Sequence, residues 1–186
     1  MNKYKKAWDS YFEGGLAVWP YFGYQYHSYL IVKHILPLLN VPKEGKVIQM
    51  GTALGVAVEY LCFLYGEDRV VGYDLFNPLG HPNIKFLDTD LTVPQDKEIA
   101  FLEIDVGSMS DKRENRKNLL LWGMNNMVDG GLILTNRKLM VELKEEGKWN
   151  FDVVDLNAFD IPELWKNVYE TRLNTKVILK INKRKE

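Results

Sequence analysis

Gly51 and Gly55 follow an apolar run, Lys46-Val-Ile-Gln-Met50, and precede a helix-compatible stretch that reaches Leu64. Strand, tight glycine turn and helix, in that order, open a nucleotide-binding βαβ unit. Gly51 can take backbone angles closed to other residues, and Gly55 lets the backbone approach a ligand closely. The helix beginning there points unpaired N–H groups at whatever sits above the turn, which suits a carboxylate or a phosphate. Two glycines alone also fit a plain strand-to-helix turn. The next segment narrows the choice. Arg69-Val-Val-Gly-Tyr-Asp74 is a second buried-strand pattern, and it ends on an acid. A carboxylate in that position can accept hydrogen bonds from ribose hydroxyls. Its other reading is a helix or turn cap.

Further acids recur at strand ends. Asp88-Thr-Asp90 follows the apolar run Ile84–Leu87, and Asp105-Val-Gly107 follows Ile99-Ala-Phe-Leu-Glu-Ile104. Packing alone does not explain them, because an unpaired buried carboxylate is costly. Asp105 is the best-placed candidate for a general base or a cation ligand, and a loop cap is the competing reading. His27, His34 and His81 are scattered along the chain. His81 lies in the loop after the second strand, within reach of a pocket, although a surface or packing role is the simpler reading for each histidine. Arg137 either binds an anionic acceptor or caps the next helix. The single cysteine, Cys62, stands among Leu61, Phe63 and Leu64, which reads as a buried inert thiol and excludes an internal disulfide.

The elements that must position these residues alternate. Helical patterning predicts a first helix to about Tyr65, closed by Gly66, and a later helix from Ser110 to about Met127, closed by Asp129-Gly-Gly131. Another helix fits Lys138–Glu146. Strands are expected at 46–50, 69–73, 84–87, 99–104, 132–135, 151–156 and 176–181, with a short helix around Pro162–Tyr169. Five strands alternating with helices imply an α/β protein: a Rossmann-like, mostly parallel sheet of seven strands with helices on both faces. The last two strands leave little room for a full crossover, so they are expected to pair antiparallel. Residues 1–44 form an aromatic-rich helical segment that packs on or caps the core, and 45–186 form the α/β unit, one structural domain overall. Within the first segment, Ser28–Leu39 has helical spacing, and Pro37 kinks or closes that helix.

Composition sets the outer bounds. With 186 residues, 46% hydrophobic and 26% charged, the chain reads as a soluble globular domain that can build its own core. A formal net charge of −1 offers no general attraction to nucleic acid or anionic membrane. The basic stretch Lys180–Glu186 reads as a solvated tail. No apolar run reaches transmembrane length, and the N-terminus is unlike a signal peptide, so the cytoplasm is expected.

With these residues in place, the chain resembles the class I S-adenosylmethionine-dependent methyltransferases over about residues 45–181. Gln49-Met-Gly-Thr-Ala-Leu-Gly55 is more similar to the E-x-G-T-x-x-G form of small-molecule O-methyltransferases than to the general D-x-G-x-G-x-G. Ile104-Asp105 with Asp111-Lys-Arg-Glu-Asn115, and Asp129-Gly-Gly-Leu-Ile-Leu-Thr-Asn136, resemble the catechol and caffeoyl-CoA type. The resemblance implies that S-adenosylmethionine is the cofactor. Gln49, Gly51, Thr52 and Gly55 would lie along its methionine part, Asp74 would hold the ribose, and Asp90 would lie near the adenine. Two departures stand out. Gln49 replaces an acid, which removes a charge near the cofactor's amino group while keeping an acceptor. Thr135 replaces the first residue of an Asp-Asn pair used by metal-dependent members. Asp105 and Asn136 remain as the metal candidates, one carboxylate short of a strong Mg²⁺ site, so a divalent metal is only a secondary expectation.

The expected function is methyl transfer to a small-molecule acceptor, at oxygen, with Asp105 as the candidate catalytic residue. No nucleic-acid partner is expected: the DPPY and NPPY motifs of base amino-methylation are absent after the fourth strand. The alternative is a catalytically silent methyltransferase-like binding module, and a homodimer through the aromatic N-terminus stays open. A nicotinamide oxidoreductase ranks last, since Gly51-Thr-Ala-Leu-Gly55 lacks G-x-G-x-x-G.

Overall fold

The computed structural model describes residues 31–52, 55–75, 77, 80–87, 93–106, 113–159 and 176–183. The aromatic residues before Ile31, including His27, lie outside this set. So do Asp88–Asp90, Gly107, Ser110, Asp111, the segment Pro162–Tyr169 and the last three residues. Among the described residues, seven strands form one sheet. They are β1 (Lys46–Met50), β2 (Val70–Asp74), β3 (Ile84–Phe86), β4 (Ile99–Ile104), β5 (Met127–Asn136), β6 (Phe151–Val154) and β7 (Lys176–Ile181). Three α-helices accompany them: α1 (Val56–Tyr65), α2 (Arg113–Asn126) and α3 (Arg137–Glu146).

The sheet order is β3-β2-β1-β4-β5-β7-β6. Strands β1 to β5 run parallel, and β7 inserts antiparallel between β5 and β6. The expected α/β class, the parallel majority and the closing antiparallel pair are all present. A parallel strand buried on both faces must be apolar on both, and β4 is buried at all six positions. Helices cover both faces. Helix α1 packs with Val47, Val70, Phe101, Leu132, Leu134 and Ile178 on one side. On the other, Leu119, Leu120 and Met124 of α2 and Leu139, Met140 and Leu143 of α3 pack with Ile48, Leu102 and Ile133. Gly123 lets α2 close on β4: a Cβ there would stand 2.3 Å from Leu102 Cδ2.

Three local expectations change. The helical spacing before Leu39 resolves, over Ile31–Leu38, into a π-helical turn and a 3₁₀ turn. Pro37 has no N–H for an α-helical bond, so the backbone tightens around it. Ile31, Val32, Ile35 and Leu36 are nonetheless fully buried beside α1. Strand β5 starts at Met127, not Leu132, so Asp129-Gly-Gly131 lies within it. The register explains this: Ile99 pairs with Met127 and Phe101 with Leu132, so Val128–Gly131 forms a bulge, with Gly130 at φ +73°. Strand β6 ends at Val154, and Leu156–Ala158 turns into a 3₁₀ helix. No helix among the described residues is long and apolar enough to cross a membrane.

Candidate functional site

The carboxyl ends of β1, β2 and β4 meet at Gly51. Its N–H donates to the Tyr73 carbonyl at 2.8 Å, and the Asp105 N–H donates to the Met50 carbonyl at 2.9 Å. Gly51 has φ +84°, and a Cβ there would lie 2.4 Å from the Asp105 carbonyl oxygen. Glycine is therefore required for β4 to approach the turn. At Gly55, φ +78°, a Cβ would meet Ile84 Cδ1 at 2.8 Å and His81 at 3.5 Å. On the side where a Cβ would stand, the room is filled by Ile84 and His81. Gly55 is the N-cap of α1 and supplies no side-chain cap.

Asp74 reaches into the same turn. Its Oδ2 accepts from the Thr52 N–H at 2.6 Å and from Thr52 Oγ1 at 3.3 Å. The acid at the end of β2 thus holds the glycine turn that follows β1. Thr52 is 4% exposed. Its methyl packs where Gly72 leaves space, 2.6 Å from the Cβ position there.

His81 is buried behind Gly55. Its Nδ1 accepts from the Asn83 N–H, so the ring carries its proton on Nε2, which donates to Glu59 Oε2 at 3.0 Å. Asn77 clamps the His81 backbone through both its amide atoms. This histidine braces the loop and α1. His34 is partly buried, and burial, helped by the Lys33 charge, lowers its pKa. Arg137 is exposed at the first position of α3, and Asn136, the N-cap residue, makes no side-chain cap bond. Cys62 is buried, and burial first, then Glu59 and Glu67, pushes its thiol up to about 12, so the inert reading stands.

Strand alternation and register place a row of polar residues on one face of the sheet at this rim. Gln49 pairs with Glu103 and Asn136 with Lys176; Leu134 beside Glu103 puts Asp105 level with Asn136. Each is two positions nearer the rim than an apolar residue of the same strand face: Val47, Phe101, Leu134 and Ile178 all pack toward α1. Lys176 reaches across β5 to place Nζ 2.9 Å from Asp105 Oδ1. Two strand spacings, about 10 Å, separate the parent strands, which takes a lysine nearly fully extended. The two side chains are 9% and 12% exposed. Gln49 Oε1 and Asp105 Oδ2 are buried and meet no hydrogen-bond donor among the described residues.

The structure brings Gln49, Gly51, Thr52, Asp74 and Asp105 together; Asp90 lies outside the described residues. Thr135 is not at this site. It pairs with Val177, whose face packs against α2 and α3, and it is fully buried. An aspartate at 135 would point into that apolar layer, so the position is no missing third ligand beside Asp105 and Asn136. Among the described residues no three His, Cys, Asp or Glu side chains are grouped to hold a metal ion. Lys176 and Glu103 join this row through the fold, beyond the residues expected from sequence. The signal for Glu103 is a carboxylate inside an otherwise apolar strand. Lys176 has a signal only once β7 is known to run antiparallel, which brings its first residue to the rim.

The sequence matches no family model and no curated protein. Solved structures are similar in fold. A putative methyltransferase of Haloferax volcanii, in complex with the Trm112 methyltransferase activator, is 13% identical with a TM-score of 0.56, over 87% of this chain and 93% of that one. The plantazolicin methyltransferase BpumL, in complex with SAH, is 13% identical with a TM-score of 0.52, over 97% and 90%. A TDP-rhamnose 3'-O-methyltransferase of calicheamicin biosynthesis is 16% identical with a TM-score of 0.50, over 84% and 79%. The chain shares with these solved structures one fold, a seven-stranded, mostly parallel sheet with helices on both faces. Within it, β1 is the switch point: the chain winds outward to β2 and β3 on one side and to β4 and β5 on the other. Ligands of open α/β sheets bind outside the carboxyl ends of strands at such a point, which is where the Gly51 turn and the polar row lie.

Proposed function

We propose that this chain is an S-adenosylmethionine-dependent methyltransferase that acts on a small molecule, at oxygen. The observation that carries the reading is the Asp74–Thr52 clasp, which joins the ends of β1 and β2 at the switch point of this fold. The residues present fit the cofactor. The orphaned Gln49 Oε1 is an acceptor for its amino group, and the uncapped first turn of α1 suits its carboxylate. Asp74 suits its ribose: it is the acid at the end of the strand beside β1, where a carboxylate accepts from ribose hydroxyls. When bound, S-adenosylmethionine supplies a methyl group already activated on a sulfonium. The protein's part is then alignment, exclusion of water and removal of the acceptor's proton. A small-molecule acceptor agrees with a net charge of −1, and one of the similar folds is a sugar O-methyltransferase by its name.

A second reading has its own observation. Asp105, the candidate base, already carries an ammonium on Oδ1, as a silent binding module would tolerate. Titration calorimetry with S-adenosylhomocysteine tests the first reading. Saturable heat at one site is expected. No heat from micromolar to millimolar ligand overturns it in favour of the module.

A further inference from the structure

The loop from β2 to β3 is fastened by one imidazole. His81 is 2% exposed, and both of its ring nitrogens are engaged. Nδ1 accepts from the Asn83 N–H at 3.1 Å, and Nε2 donates to Glu59 Oε2 at 3.0 Å. Only the neutral ring can do both, because an imidazolium has no acceptor. A proton on Nδ1 would face the Asn83 N–H head on, in a place closed to solvent. Asn83 in turn ties the loop to its surroundings. Its carbonyl accepts from the Gly72 N–H of β2, and its Nδ2 donates to the Glu67 and Val70 carbonyls. Asn77 closes the other end, accepting from the His81 N–H and donating to the His81 carbonyl. The ring also lies 3.5 Å from the Cβ position of Gly55.

Few charged groups surround this ring. Glu59 of α1 is in contact and favours a charged ring, while burial and the Asn83 N–H both oppose one. Cys62, a turn further along α1, is a neutral thiol. Glu67 meets the loop through its backbone carbonyl. Asp74 of β2 bonds Thr52, and Lys85 of β3 lies over the Tyr73 ring on the opposite face of the sheet. We propose that His81 is a proton-operated latch. Neutral, it locks the β2–β3 loop onto α1; a second proton, taken on Nδ1, releases the loop. A released, solvated histidine takes that proton near pH 6.5. Below about pH 6.5 the released loop therefore holds one proton more than the locked one, so locking is strongest above that pH and weakens as pH falls, by up to about tenfold per unit. Gly55 is the N-cap of α1, so the latch borders the turn assigned to the cofactor; that consequence rests on the methyltransferase reading above.

Hydrogen exchange of the full chain, followed by NMR from about pH 5 to about pH 8 and normalised for intrinsic exchange, tests the latch. Protection of the Asn83 amide is expected to fall by up to about tenfold per pH unit below about pH 6.5, while the β4 amides keep theirs. His81→Asn sets a carbonyl where Nδ1 stood and cannot titrate, so its Asn83 protection is expected to be flat. Should that variant not fold, Glu59→Gln serves: it keeps an acceptor for Nε2 and is expected to keep the slope. A merely structural brace gives the wild type no slope. A charged His81–Glu59 pair gives protection that rises as pH falls and loses this rise in Glu59→Gln. Either result overturns the latch. Saturating S-adenosylhomocysteine is expected to raise Asn83 protection, because a ligand of the locked form adds to its stability. Binding that leaves protection unchanged overturns the link to the cofactor turn. Absence of binding overturns the methyltransferase reading, and the pH slope still decides the latch.

Discussion

At the level of Gly51 the two faces of the sheet differ completely, although they share strands and often adjacent residues. Toward α1 stand Gln49, Glu103, Asp105, Asn136 and Lys176. Toward α2 and α3 stand Met50, Ile104 and Val177, each no more than 2% exposed, with Thr135 as the lone polar member of that set. Side chains alternate along a strand, so Gln49 and Met50, or Glu103 and Ile104, serve opposite purposes one position apart. The α2–α3 side stays core up to the rim. The α1 side stops being apolar core two residues early and becomes a row of polar side chains. A site built this way is held from behind by close packing, as a precise constellation requires.

The strongest strain on that comparison comes from Lys176→Met. If the polar row is a desolvated network, removing one partner leaves Asp105 uncompensated and costs about 3–5 kcal/mol, read from urea unfolding. A loss below about 1 kcal/mol, the range of exposed pairs, means the row is effectively solvated and the contrast between the faces fails. Gly51→Ala comes next, at roughly 2–4 kcal/mol, since a left-handed backbone is combined with a blocked Cβ. A neutral result there would show that β4 does not press on the turn. Asp74→Ala is expected to weaken S-adenosylhomocysteine binding by about 1.5–3 kcal/mol in calorimetry. Unchanged affinity removes Asp74 from the ligand and leaves it as a clasp on Thr52 alone.

Most of the candidate site on the α1 side is legible in the chain. Gly51, Asp74 and Asp105 announce themselves because a turn glycine and strand-end acids break an apolar pattern locally. Lys176 did not, because its meaning depends on a contact across 71 positions of sequence and on the direction of β7. The start of β5 differs from the sequence expectation for a related reason. Asp129-Gly-Gly131 reads as a helix end, and only the pairing of β4 with β5 turns it into a bulge inside a strand. Thr135 and its neighbour lie on opposite faces of β5. Asn136 does lie on the polar row, and adjacency in sequence suggested adjacency in the site, whereas alternation sends consecutive strand residues to opposite faces.

Thr135 offers the gentlest and most discriminating probe. Its hydroxyl is fully buried on the apolar side and has no hydrogen-bond partner among the described residues. A buried hydroxyl without a partner costs about 1–3 kcal/mol by mutational measures, and valine has nearly its shape. Thr135→Val is therefore expected to raise stability by about 1 kcal/mol, with S-adenosylhomocysteine affinity unchanged. The analogous change on the opposite face, Gln49→Leu, keeps similar bulk but removes the orphaned acceptor, and is expected to weaken that affinity while leaving stability level or higher. If Thr135→Val instead destabilises the protein or weakens ligand binding, its hydroxyl belongs to the site after all, and the division of the rim into a chemical face and a packing face is wrong at the strand where the two come closest.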